Sequence, residues 1–350
     1  MLVSKTAELG AVSIPVGRLP TDTADMTSRP APDPGRPRPA KPGLHPRNRH
    51  ALGYDFPKLV TACPDLGPFL LRALHGGLSV DFANPAAVTA LNRALLAESY
   101  SIRGWDLPAG CLCPPIPGRA DYLHHLADLL DSDGAVSRGQ GVRAFDIGVG
   151  ASVIYPLLGQ REYGWCFVGS DIDEVALSAA ARILAANPEL ESAIELRRQA
   201  DRSAIFTGVV GAAERFDLTL CNPPFFASPR EAREAAQAKW RKLGRGDGRG
   251  TRNFGGRDAE LCCEGGEAGF ILRMVEESTA LGDRVRWFTT LVSNARNLPA
   301  VERALRRGRA REVRTVPMAQ GQKRSRFVAW TFLDAEARKS FRSGRIEAPC

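Results

Sequence analysis

The sequence predicts an α/β protein: a Rossmann-like parallel sheet covered by helices on both faces, preceded by a small, mostly helical N-terminal module. Three observations carry that reading. Beyond Val142, short β-branched runs alternate with amphipathic helical stretches, the pattern of a doubly covered parallel sheet. Before that point the apolar spacing is helical. The last two apolar runs, Glu312–Met318 and Arg326–Leu333, are separated by a linker too short for a crossover, so they should close the sheet as an antiparallel hairpin.

In chain order, residues 1–43 are rich in Pro and Arg and cannot bury enough apolar surface to fold, so a disordered tail is expected. Residues 44–135 form the helical module. Its helical spacing is clearest at Phe69–Leu74, Ala87–Leu96 and Ala120–Leu130, with the proline-rich stretch Cys111–Gly118 as a break. Residues 136–335 form the sheet domain. Its expected strands are Val142–Ile147, Trp165–Ser170, Ile194–Arg197, Phe216–Cys221 and Val285–Val292. Its expected helices include Asp173–Ala186, Ala259–Leu281 and Leu298–Arg307. A basic loop is expected over 228–258, and residues 336–350 read as a C-terminal tail.

The net charge of +8 over 350 residues biases the molecule toward polyanions. Eight cysteines without C-x-x-C spacing read as reduced thiols rather than a zinc site. His45 and His50 have no carboxylate or cysteine partner nearby in sequence, so no metal is expected. No run approaches the roughly 18–20 apolar residues of a membrane span. The short apolar run Ala11–Val16 is a poor signal peptide. A cytoplasmic monomer without membrane contact is the expectation.

The first strand runs into Ala144-Phe-Asp-Ile-Gly-Val-Gly150, which places Asp146 near the strand end and Gly148 and Gly150 in the turn that follows. Glycines let backbone turn sharply and approach a ligand. Alone, that pair suits an ordinary strand-to-helix turn as well as a nucleoside pocket. The third glycine of a dinucleotide fingerprint is absent. Asp171, at the end of the next strand, is placed to accept both ribose hydroxyls, which favours a nucleoside cofactor.

The motif after the fourth strand, Asn222-Pro223-Pro224-Phe225, names the chemistry. An aryl amine such as adenine N6 is a weak nucleophile because its lone pair is delocalised into the ring. If the Asn222 side-chain oxygen and the Pro223 carbonyl accept its two N–H groups, the lone pair is turned toward a methyl donor. The prolines preset the carbonyl direction, and Phe225 offers a face for a flat base. The donor is then S-adenosylmethionine, and five parallel strands plus a hairpin is the arrangement of a class I SAM-dependent methyltransferase fold. Between Ser228 and Asp258 the chain gathers Arg230, Arg233, Lys239, Arg241, Lys242, Arg245, Arg249, Arg252 and Arg257, suited to phosphates around an unstacked base. A solvated basic loop remains the alternative.

Longer strings carry a resemblance. They are His45-Pro-Arg-Asn-Arg-His50, Gly53-Tyr-Asp-Phe56, Leu112-Cys-Pro-Pro-Ile-Pro-Gly-Arg-Ala-Asp-Tyr122, Phe145–Gly150, Ile154-Tyr-Pro-Leu157, Leu220–Phe225, Asn253-Phe-Gly-Gly256, Glu264-Gly-Gly266 and Met318-Ala-Gln-Gly-Gln-Lys323. The chain resembles the bacterial 23S rRNA adenine-N6 methyltransferases, a family that includes eukaryotic spliceosomal-RNA adenine methyltransferases. The resemblance implies that one adenine of 23S rRNA, or of a large-subunit assembly intermediate, is methylated. It implies that Arg119 reaches the methionine carboxylate of the cofactor. It also implies that Gly148 contacts the cofactor, Asp171 holds the ribose, Asn222 clamps the acceptor, and Ser203 lies in the polar loop after the third strand. Protein-glutamine and DNA adenine methyltransferases share the clamp and stay as alternatives. A non-catalytic RNA binder on this scaffold would be expected to lack Asp146, Asp171 or Asn222.

Overall fold

The computed structural model describes residues 43–73, 76–134, 137–242, 256–320 and 323–343. The expected tail 1–43 lies, but for Gly43, outside them.

The module opens with α1 (Phe56–Ala62), whose first turn is capped by Asp55. A 3-10 turn and a two-stranded hairpin follow, β1 (Leu70–Arg72) against β2 (Leu78–Val80). Helix was expected over Phe69–Leu74. Gly67 and Pro68 end the helical turn at Phe69, and the chain reverses through Gly76 and Gly77, both at positive φ. Asn84 accepts from two amides to start α2 (Pro85–Tyr100). Helix α3 (Ile116–Asp131) begins inside the proline-rich stretch, with Pro117 in its first turn where no N–H is needed.

The sheet domain then runs β3 (Arg143–Ile147), α4 (Ile154–Tyr163), β4 (Cys166–Asp171), α5 (Glu174–Ala185), β5 (Ile194–Arg198) and β6 (Phe216–Cys221). It continues through α6 (Pro229–Lys242), α7 (Asp258–Leu261), α8 (Gly266–Ser278), β7 (Val285–Leu291), α9 (Leu298–Arg307), β8 (Glu312–Gln320), β9 (Lys323–Thr331) and α10 (Ala335–Ser340). The seven strands lie in the order β5-β4-β3-β6-β7-β9-β8. The first five are parallel, and β9 and β8 close the edge antiparallel. Every residue of β3 and β6 is buried, as expected of central strands covered on both sides.

One face of the sheet is packed by the module: Leu91, Leu95, Leu126 and Leu130 share a core with Leu157 and Leu158 of α4 and with Trp165 and Phe167. The other face packs Phe145 and Phe216 against Met274, Val301 and Leu305 of α8 and α9.

Three expectations are corrected. The helix expected over Ala259–Leu281 is broken between α7 and α8, where Gly265 and Gly266 both take positive φ. Within the basic loop expected over 228–258, residues Pro229–Lys242 are helical; Arg230 and Glu234, one turn apart, lie within 3.5 Å. In the expected C-terminal tail, α10 is capped by Asp334, and Arg338 is buried against Asp133 at 3.0 Å and Glu312 at 2.7 Å.

Candidate active site

Because β3, β4, β6 and β7 are parallel, their C-terminal ends share one edge, and the strand order reverses between β3 and β6. That switch point is where open α/β sheets hold ligands. A cavity opens there, lined from β3 by Ile147–Gly150, from β4 by Ser170–Ile172 and from β6 by Cys221, Asn222 and Pro224.

The turn after β3 is shaped by Gly148 (φ +71°) and Gly150 (φ +65°), and the amides of Gly148 and Val149 both donate to the Ser170 carbonyl at 2.9 Å. Val153 closes the turn at φ +44°, a conformation that costs a β-branched residue about 1–3 kcal/mol. Strain of that kind marks a loop held in shape by its surroundings. Asp171 braces it: one carboxylate oxygen accepts from Gly150 N and the other from Asp173 N, each at 2.9 Å. Burial raises its pKa, and those two amides oppose the rise.

Asp146 lies beneath the cavity rather than in its wall. Its carboxylate is 1% exposed, and neither oxygen has a hydrogen-bond partner among the described residues. Burial pushes its pKa up to about 8, against the pull of the nearby Arg119 charge. Arg119 reaches the cavity from α3. Its Nη1 donates to the Tyr155 hydroxyl at 2.6 Å, while its buried Nε has no partner among the described residues. A buried carboxylate and a half-buried guanidinium, each with unused hydrogen-bonding capacity, fit the ammonium and carboxylate of a bound amino acid moiety. The donor set therefore suits the methionine end of S-adenosylmethionine.

Asn222 follows β6 directly. Its side chain lines the cavity and makes no hydrogen bond to a described residue. Pro223 is buried and Phe225 half-buried, and neither lines the cavity. The amides of Phe225 and Phe226 donate to the Leu261 carbonyl at 3.0 Å, tying the motif to a strap over residues 256–263. In that strap, Glu260 accepts from the Leu112 amide at 2.9 Å and from its own Arg257 amide at 2.8 Å, while Arg257 pairs with Asp173 at 3.2 Å. The strap thus joins the module, the end of β4 and the Asn-Pro-Pro-Phe segment. Sequence reasoning gave Glu260 no role; the only signal was the flanking strings Asn253–Gly256 and Glu264–Gly266. It also left Tyr155, Gln199 and Arg273 without a role, though all three line the cavity.

Of the residues expected at the site, Arg119, Gly148, Gly150, Asp171, Asn222 and Pro224 meet at this cavity. Ser203 does not. It is exposed, and its hydroxyl and amide both donate to Asp201, at 2.6 and 2.8 Å, so the local turn consumes its polarity. Ala204 and Ile205 line the cavity in its place. Of the basic residues, Arg230 and Arg233 are exposed on α6, while Arg257 is engaged by Asp173. Arg245, Arg249 and Arg252 lie outside the described residues.

His45 does have a carboxylate partner, contrary to its local sequence: Nε2 lies 2.9 Å from Asp128, 83 residues away, with His125 packed edge-on. Nδ1 of His45 accepts from the Arg47 amide at 3.1 Å, so Nε2 carries the proton and donates to Asp128. Asp128 is also paired with Arg47. His45 and Arg47 on one side and Asp128 on the other thus form a latch between the start of the module and α3.

This sheet order and cavity are those of class I S-adenosylmethionine-dependent methyltransferases, and solved structures agree. The chain is similar to the human METTL16 catalytic domain crystallised with a MAT2A 3'UTR hairpin, at TM-score 0.71 and 29% identity, over 83% of this chain and 96% of that one. It is similar to the N-terminal domain of human METTL16 in complex with SAH, at TM-score 0.66 and 27% identity, over 83% and 99%. More narrowly, the chain belongs to the RNA methyltransferase family, which matches residues 38–334. Among its relatives, ribosomal RNA large subunit methyltransferase F of Pseudomonas aeruginosa (strain LESB58) is 56% identical over 91% of this chain and 96% of that protein. The protein of the same name in Serratia proteamaculans (strain 568) is 53% identical over 87% and 92%.

Proposed function

We propose that this protein transfers a methyl group from S-adenosylmethionine to N6 of one adenine of 23S rRNA, as a cytoplasmic monomer without membrane contact. The observation that carries the reading is Asn222: an amide with no described partner, at the end of β6, facing the same cavity as Asp171, Gly148 and Arg119. The relatives named for ribosomal RNA methylation support the polymer.

The cofactor supplies an electrophilic methyl group on a sulfonium. Arg119 and the nearby Asp146 would pair with the carboxylate and ammonium of its methionine end, and Asp171 would hold the ribose hydroxyls, with Gly148 and Gly150 giving the backbone close approach. Asn222 and the Pro223 carbonyl accept the two N–H groups of the target amine, and Phe225 stacks on the base. Neither acceptor needs to be a base, because orientation does most of the work. Exposed Arg230 and Arg233 would meet the phosphates. An adenine paired in a duplex cannot present N6 to this clamp, so the target is single-stranded or flipped out.

The test is to treat large-subunit rRNA from a strain lacking the protein with labelled S-adenosylmethionine and map the product by mass spectrometry. Label on adenine N6 at one position is expected. Label on cytosine, guanine, DNA or a protein glutamine would overturn the reading.

A further inference from the structure

Between β6 and β7 the recorded pairing stops at Leu218 opposite Trp287, whereas on its other side β6 stays paired with β3 as far as Cys221 opposite Ile147. The last residues of β6 therefore part from β7 just before Asn222. The polar groups exposed by that parting are met by side chains. The Thr289 hydroxyl donates to the Thr219 carbonyl at 2.6 Å, and the Thr289 amide donates to the Thr219 hydroxyl at 3.2 Å. The Tyr122 hydroxyl lies 2.6 Å from the Thr289 hydroxyl. Since Thr289 spends its single proton on Thr219, Tyr122 must be the donor to Thr289. A fully buried phenol on α3 thus reaches β6 through Thr289 at Thr219, three residues before Asn222.

Tyr122 is also one helical turn from Arg119, and its ring packs edge-on to Tyr155, the residue that holds Arg119. Helix α3 therefore reaches the cofactor side of the cavity with one residue and the acceptor side with the next on the same face.

We propose that Tyr122 is a positioning residue: its hydroxyl fixes the direction in which β6 leaves the sheet, and so where the Asn222 amide points. The inference rests on the reading of Asn222 as the acceptor clamp. A clamp misdirected by an ångström loses much of its rate enhancement without touching the cofactor, of the order of 10–100-fold.

The test combines Tyr122→Phe, Thr289→Val and Thr289→Ser in the full chain with three readouts. Tyr122→Phe and Thr289→Val should each lower kcat about 10–100-fold with the SAH Kd within about twofold, and the double variant should be no worse than either. Thr289→Ser, which keeps the hydroxyl, should restore near wild-type kcat. Hydrogen–deuterium exchange over residues 219–226 should speed up about tenfold in the two damaging variants, with β4 unchanged. Unchanged exchange at 219–226 would overturn the inference. So would faster exchange in β4 to the same extent with SAH affinity lost in step with kcat, the pattern of a merely structural role. If the wild type fails to methylate rRNA, the activity reading fails, and the exchange measurement still decides the role of Tyr122.

Discussion

Helix α3 carries charged groups on two sides of the molecule, and the two sides are finished differently. Toward the segment that precedes α1, Asp128 is taken up by His45 and Arg47. Toward the sheet, Arg119 keeps a buried Nε and the nearby Asp146 keeps both carboxylate oxygens without a partner among the described residues, while the half-buried Asn222 lines the cavity. A buried polar group left without a partner costs about 1–3 kcal/mol, more if charged, and Arg119 differs from other such groups, His124 Nε2 on the latch side among them, in lining a cavity where a ligand can complete it. The difference separates a latch from a binding site, although both are built from the same kinds of residue.

The contrast can be broken most severely at Asn222. Asn222→Ala should lower turnover at least about 100-fold, since it removes an acceptor acting on the reacting nitrogen, while the SAH Kd measured by calorimetry stays near wild type. Retained turnover would remove Asn222 from the clamp. At the other end of the cavity, Arg119→Ala should weaken SAH binding about 10–100-fold, the scale of one charged hydrogen-bonded pair, with kcat at saturating cofactor much less affected. Equal losses in both would place Arg119 in the chemistry.

On the latch side, Asp128→Asn should leave SAH affinity and turnover unchanged and lower Tm by only about 1–3 °C, because the pair is half-exposed and screened. Its hydrogen bonds to His45 and Arg47 hold the Asp128 pKa below the usual value. That stabilisation is therefore present near neutrality and is lost as pH falls through the acid range. A fall in cofactor affinity in this variant would erase the distinction between the two sides. The smallest effect belongs to Ser203→Ala, which should change neither SAH affinity nor turnover by more than about twofold, since removal of one exposed local hydrogen bond perturbs little.

The parallel sheet was legible in the sequence to within a residue or two because short runs rich in apolar residues, such as β3 and β6, alternate with amphipathic helical stretches. The cavity was legible where chemistry forces residue type: glycine at Gly148 and Gly150, a strand-end acid at Asp171, and Asn-Pro-Pro after β6. Helices without an apolar stripe were not. Segments α6 and α10 are rich in charge, and what holds them is pairing along the helix and a buried Arg338 meeting Asp133, 205 residues away. The pairing of His45 with Asp128 escaped local spacing for the same reason. Glu260 was hidden differently, because it serves two backbone amides, and such a role leaves no residue-type pattern to read.

The unpartnered Asp146 offers the most direct measurement. Without ligand, burial holds its pKa near about 8, above the unfolded value, so the folded state binds this proton more tightly than the unfolded chain. Its contribution to folding is most favourable at acid pH and diminishes as pH rises toward about 8. An ammonium group placed beside it would pull the pKa down again and expel the proton. Titrating SAH calorimetrically at about pH 6.5, in two buffers of different ionisation enthalpy, counts that proton directly. The account expects release of close to one proton by the wild type and of none by Asp146→Asn. Binding without proton release in the wild type would contradict it.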